Sequence, residues 1–231
     1  MSHTSFNKIR SVLLLAFTLG FTSLGQASIL VIDDFTDFQQ VVDAGNPITA
    51  TSAGPLALTG SDLAGIQRTI TSTATGGGFG SQEITIGEPG GVGTGGVLAI
   101  SNNTFSAGSA SLFWSGFTTT DFSAFANAIL LDVLAIDLNV SVEMIVNGTS
   151  TSGFQAFAGP GNFFVDFVNF SDPSVFAAVN SLQLNFTGPQ AWDGQFRLLA
   201  VQNNTTVPEP ASLALLGLAF IGFGVLRRKR V

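Results

Sequence analysis

Hydrophobic and polar positions alternate with a period of two through most of the chain. Val140, Val142, Met144 and Val146 alternate with Ser141, Glu143 and Ile145. Leu182, Leu184 and Phe186 alternate with Gln183, Asn185 and Thr187, and Phe196, Leu198 and Ala200 with Arg197, Leu199 and Val201. Such alternation puts one face of a strand on a core and the other toward water or a second layer. Further strands are predicted at Ile29–Phe35, Ile66–Thr73, Glu83–Ile86, Gly96–Ser101, Ser109–Trp114, Ala128–Ile136 and Asn162–Asn169. Turns rich in Gly, Asn and Pro separate them, and Asn147-Gly148 after an alternating strand is a strong hairpin signal. Short helical turns are expected at Phe122–Asn127 and at Ser174–Asn180, the latter opened by Asp172-Pro173. This spacing of short strands predicts an all-β fold, an antiparallel β-sandwich of jelly-roll type.

The two ends of the chain break the pattern. Lys8 and Arg10 precede an apolar run from Val12 to Leu24, and Gly25-Gln26-Ala27 supplies the small residues of a secretory cleavage site. A signal peptide is therefore expected over residues 1–27, with cleavage between Ala27 and Ser28 and passage through Sec export machinery. At the other end, Pro208-Glu209-Pro210 leads into an apolar stretch, Ala211–Leu226, and then Arg227, Arg228, Lys229 and Arg230. The apolar part rises about 1.5 Å per residue as a helix and so covers roughly 24 Å of a hydrocarbon core about 30 Å thick. That is marginal for a lasting anchor, and the four cations hold the terminus on the cytoplasmic side. The prolines keep the preceding segment out of helix and open to an enzyme.

This tripartite tail resembles the PEP-CTERM sorting signal of Gram-negative bacteria, with Pro208, Glu209 and Pro210 matching its motif. The resemblance implies an exosortase-type processing enzyme as partner. It also implies transient residence in the inner membrane through the C-terminal helix, then delivery to the cell surface or extracellular matrix. Residues 28–201 are left as one β-sandwich domain, 202–207 as a linker and 208–231 as the sorting signal.

Removing both ends changes the electrostatics. Of eight Lys and Arg residues only Arg68 and Arg197 fall between Ser28 and Val207, whereas fourteen of the fifteen carboxylates do, all but Glu209. The domain's formal charge is therefore −12. Nucleic acid, which binds through clustered cations, is excluded as a partner. Cysteine is absent, so stability must come from the core rather than from disulfides. The single histidine, His3, leaves with the signal peptide, and no lysine remains in the domain. Ser-His-Asp, Cys-His and Ser-Lys catalysis cannot be assembled from what is left.

Three chemistries survive this subtraction. Glu83, Glu143, Asp166 and Asp193 could supply a glycosidase pair if two of them converged. Asp33, Asp34 and Asp37, on or beside the first predicted strand, and Asp193, before the last, could hold a structural calcium ion if those strands pair; otherwise they keep strand edges soluble. Trp192, in the turn before the last strand, could offer its indole to a sugar with Asp193 taking the hydroxyls, or could close one end of the sandwich. Trp114 lies in an apolar run and is expected in the core. Gly91, Gly93 and Gly96 fit a dinucleotide fingerprint in letters only, because the sequence after them predicts a strand where that fingerprint needs a helix.

The domain also resembles exported β-sandwich proteins that precede this sorting signal, through Ile32-Asp33-Asp34-Phe35, Arg68-Thr69-Ile70 and Gln195–Val201. Such proteins are associated with extracellular polysaccharide and biofilm. The resemblance implies a structural or adhesive, non-enzymatic role there; a lectin-like carbohydrate-binding module is the alternative and a carboxylate glycosidase the third reading. Arg68 is expected to be ion-paired. No cofactor beyond the calcium ion is expected, and exopolysaccharide is the expected partner outside the cell.

Overall fold

The computed structural model describes residues 29–45, 49–76, 78–87 and 96–204. The signal peptide, the Ala27/Ser28 cleavage site, the Pro89-Gly90-Gly91 turn and the sorting tail lie outside the described residues. One compact unit spans Ser28–Asn204.

Among the described residues, thirteen strands form two antiparallel sheets. In chain order they are β1 (Leu30–Asp33), β2 (Gln39–Asp43), β3 (Thr51–Ala57), β4 (Gln67–Thr73), β5 (Gln82–Ile86), β6 (Leu98–Asn102) and β7 (Ser109–Ser115). There follow β8 (Ala128–Ile136), β9 (Val140–Val146), β10 (Ser150–Phe157), β11 (Gly161–Asp166), β12 (Leu182–Thr187) and β13 (Asp193–Gln202). The first sheet runs β11-β8-β13-β6-β5-β2 with β1 also on β13, and the second runs β10-β9-β12-β7-β4-β3. The chain crosses between sheets again and again, at β2 to β3, β4 to β5, β6 to β7 and at most later connections, which is the winding of a jelly roll. The last strand, β13, sits in the middle of its sheet: β8 lies along one side, while β6 and β1 share the other.

The alternating residues do what their period predicts. Ile84, Ile86, Leu98, Ile100, Leu131 and Leu199 face Ile70, Leu112, Val142, Met144, Leu184 and Phe186 across one continuous apolar core. Burying each such side chain contributes roughly 1.5–3 kcal/mol. The Asn147-Gly148 hairpin forms between β9 and β10, with φ of +54° and +67° and Thr149 N donating to Val146 O at 3.1 Å. The two expected helical turns appear as shorter 3₁₀ turns at Phe122–Ala124 and Pro173–Ala177, capped by Asp121 and Asp172.

Beyond small shifts at other strand ends, two boundaries and three strands differ from the sequence expectation. The first strand stops at Asp33, because Phe35 takes a positive φ of +57° and turns the chain. The strand expected over Asn162–Asn169 ends at Asp166, where Phe167–Asn169 coils into a 3₁₀ turn and Phe167 N donates to Asn127 O at 2.8 Å. The strands β2, β3 and β10 were not expected, and all three are sheet edges. In β2 the inward residues are Gln39, Val41 and Asp43, so polar groups occupy core-facing positions. Register shifts interrupt β3 between Ala53 and Leu56, around Gly54-Pro55, and β10 between Thr151 and Phe154.

Candidate functional site

Two buried polar clusters organise the sandwich. The first joins the sheets through Arg68, which is fully buried on β4. Its Nη1 donates to Asp33 Oδ2 at 2.6 Å, its Nε to Gln39 Oε1 at 2.9 Å and its Nη2 to the Asp37 carbonyl at 2.7 Å. Trp114, buried as expected, donates Nε1 to the same Asp33 oxygen at 2.8 Å, and Phe35 N donates to Asp33 Oδ1 at 2.8 Å. Burial pushes the Asp33 carboxyl above its ordinary value, against the pull of Arg68, Trp114 and Phe35. Among the described residues no buried side-chain polar atom lacks a hydrogen-bond partner. Every donor of this cluster is engaged in holding protein to protein, which is the work of an inter-sheet brace.

The second cluster lies at the start of β13. Asn102 Oδ1 accepts from Gln82 Nε2 (3.1 Å), Ser106 Oγ (3.2 Å) and Gly108 N (3.1 Å), and its Nδ2 donates to Trp192 O at 2.8 Å. Trp192 is wholly buried, with Nε1 donating to Gly108 O at 2.8 Å. Its indole lies over Gly188, where an added Cβ would sit 2.5 Å from the Trp192 Cγ. Of the two roles left open for Trp192, its burial fits the lid over one end of the core. Asp193 Oδ1 accepts from Asn102 N at 2.8 Å and pins the same corner.

The residues of the calcium expectation are not brought together. The first and last strands do pair, antiparallel, which turns Asp33 toward the Asp193 end of β13, but the register sets Asp33 opposite Leu199. Asp193 lies six residues away along β13, roughly 20 Å at about 3.3 Å per residue. Asp33 is committed to Arg68, and Asp34 Oδ1 accepts from Thr36 N at 3.0 Å. Among the described residues no three carboxylate or histidine side chains form a group that could hold a metal ion.

The four acidic residues considered for glycoside chemistry are also separated. Glu143 lies on the second sheet, accepting from Thr151 Oγ1 at 2.8 Å and Asn185 Nδ2 at 3.1 Å. Asp166 ends β11 and accepts from Asn204 Nδ2 at 2.8 Å. Glu83 and Asp193 share one row of the first sheet, with Ser101 between them. Their strands are roughly 10 Å apart at about 4.8 Å per strand. Glu83 is held by Gln40 and Thr85.

Sequence reasoning missed the exposed aromatic pair at the Trp192 end. Phe79 is 77% exposed and Phe105 58%, with ring centroids 6.2 Å apart and planes tilted by 54°. Three segments lock together beneath them. Asn103 Nδ2 donates to Phe79 O at 2.8 Å, Ala107 N to Thr75 Oγ1 at 2.8 Å and Ala191 N to Ser106 O at 2.8 Å. Backbone packs so closely that a Cβ on Gly76 would lie 2.2 Å from Phe105 O. The signal in the sequence was weak: a phenylalanine in each of two Gly- and Asn-rich loops, and nothing to say that the loops meet.

Comparison with known proteins places the tail and is thin for the domain. No curated protein matches the chain. The fold is similar to a family 11 carbohydrate-binding module of the cellulosomal cellulase Lic26A-Cel5E of Clostridium thermocellum, at 10% identity and a TM-score of 0.39, over 79% of this chain and 99% of that one. The solution structure of CtCBM11 gives 12% identity and a TM-score of 0.41, over 78% and 98%. PfGH50B gives 9% and 0.36, over 48% of this chain and only 20% of that one. Residues 206–230 match the model of the PEP-CTERM protein-sorting motif. The motif implies export, and the chain carries this sorting motif after an antiparallel β-sandwich.

Proposed function

We propose that this is a non-enzymatic protein of the cell surface or extracellular matrix, delivered by an exosortase-type enzyme that recognises Pro208-Glu209-Pro210. Its sandwich has a structural or adhesive role in exopolysaccharide. The observation that carries this reading is the sorting motif matched at residues 206–230. The domain's chemistry supports it. Asp33, Asp37, Asp43, Asp193 and Glu143 each accept hydrogen bonds that hold the fold, as carboxylates do in a scaffold.

The intact mass of the protein recovered from cells tests the reading. The mature wild type is expected to lack the signal peptide and the basic tail, and Pro208→Ala is expected to retain the tail. A wild-type protein still ending in Arg227–Val231 would overturn it.

A further inference from the structure

The Phe79–Phe105 corner combines two exposed rings with uncharged polar neighbours. The segments that build it, residues 74–76, 78–81, 102–108 and 188–192, contain no ionisable side chain, in a domain carrying fourteen carboxylates. Asp193, the carboxylate next in sequence, is spent on Asn102 N, and the buried Asp43 on Ala74 N and Gly45 N. Around the two rings stand Asn103, Thr104 and Gln190, all exposed. Gln190 Nε2 donates to Thr104 O at 2.6 Å and ties the rim together. The frame below is rigid for the reasons already given: loop-to-loop hydrogen bonds, and glycines where no side chain fits. Such a frame keeps apolar rings in water at a fixed spacing, where one would expect them to fold inward if the loops were free.

The occupant follows from this chemistry. Aromatic faces take up C–H surface, while amides and hydroxyls exchange hydrogen bonds with hydroxyl groups, and a charge-free setting neither attracts nor requires an ion. An anionic polymer would find no cation here. The domain's two arginines are already paired, Arg68 with Asp33 and Arg197 with Asp132. We propose that the Phe79–Phe105 corner binds a neutral polysaccharide chain, its rings meeting sugar C–H faces and the Asn103, Thr104 and Gln190 rim meeting sugar hydroxyls. The proposal rests on the exported-matrix reading and gives it a ligand class and an address on the fold.

Affinity electrophoresis tests it, with the protein purified from the cells that export it. The gels contain hydroxyethylcellulose, dextran, alginate or the neutral polysaccharide fraction of the exporting cells' own matrix. Retardation is expected in at least one neutral gel and not in alginate. Phe79→Ala and Phe105→Ala are each expected to weaken it by about tenfold, the scale of one lost aromatic contact, and Phe79→Trp to preserve it. Thermal melts of the variants are expected to match the wild type, since both rings are exposed. Absence of retardation in every neutral gel overturns the proposal, as does retardation that both alanine variants retain. Binding to alginate overturns the neutral class. Co-sedimentation with phosphatidylcholine vesicles, or a dimer that Phe79→Ala dissolves, would replace the sugar with an apolar occupant. Processing of the tail, read by mass, is independent of all these outcomes, so either reading can fail alone.

Discussion

Arg68 and Asp33 meet at 2.6 Å inside the sandwich, on strands of different sheets and with almost no exposure on either side chain. Removing one member of such a pair strands the other charge in the core, which costs about 3–5 kcal/mol. Arg68→Met is therefore expected to lower stability by that order at pH 7. The loss should shrink in acid. Burial already raises the Asp33 carboxyl, and without the guanidinium it rises further. A group whose folded pKa is raised contributes its full share below the unfolded value of about 3.9 and loses it as pH rises through the folded value. Urea midpoints at pH 4 and pH 7 check this, and the double variant Asp33→Asn with Arg68→Met should recover part of the loss at neutral pH.

Asp37 behaves in the opposite sense. Burial acts to raise its carboxyl, but hydrogen bonds from Thr59 N and Oγ1 and from Gly60 N, with the Arg68 charge nearby, outweigh it and hold the group below the usual carboxylate range. Its contribution is present above about pH 3.9 and disappears as pH falls through the lower folded value. Asp37→Asn is expected to destabilise by about 1 kcal/mol at pH 7 and progressively less below pH 4. Melting temperatures across that range would show the two curves converging; parallel curves would count against it.

Trp192 should matter for stability and not for sugar contact. Trp192→Phe keeps most of the buried area and leaves Gly108 O without its donor, at a cost of about 1–3 kcal/mol. Trp192→Ala should cost about 3–5 kcal/mol. Chemical unfolding measures both, and Trp192→Phe should migrate like wild type in the polysaccharide gels.

Gly45 and Gly148 separate backbone strain from crowding. Their φ angles are nearly equal, +68° and +67°, so alanine suffers the same left-handed penalty at each, about 1–2 kcal/mol. At Gly148 an added Cβ meets nothing within 4 Å, whereas at Gly45 it would lie 2.2 Å from Gly80 O. Gly45→Ala is expected to destabilise more than Gly148→Ala, and equal melting temperatures would refute the packing of these two loops.

Strands flanked on both sides were legible because their alternation reports two ladders and a core at once. The strand pattern of Val140–Val146 and Leu182–Thr187 coincides with β9 and β12 to the residue. The edge strands β2, β3 and β10 were hidden by their own function, unlike the edge strand β11. β2 turns Gln39 and Asp43 inward, Gln39 to the Arg68 cluster and Asp43 to Ala74 N, and so reads as polar loop. Proline and glycine interrupt β3, and a register shift at Gly153 interrupts β10. Arg68 was legible as an ion-paired residue because an isolated cation in an acidic β domain needs a partner. Trp192 was not, since a turn sequence gives no account of Asn102, ninety residues earlier, waiting to accept it into the corner. The acidic residues stay apart for a related reason: strand pairing and its direction were foreseen, but register decides which residues meet.

The position of β13 has a consequence for export. A chain threaded from its N-terminus delivers β1, β6 and β8 long before their shared partner, and the first sheet remains three unjoined pieces, β11-β8, β6-β5-β2 and β1, until Asp193–Gln202 emerges. Such late, non-local pairing delays folding. The last segment to arrive before the sorting tail is thus the one that joins the first sheet, so that sheet stays incomplete through nearly all of the passage. Truncation at Gly188 is expected to leave a protease-sensitive chain, while an end at Asn204 should resist digestion.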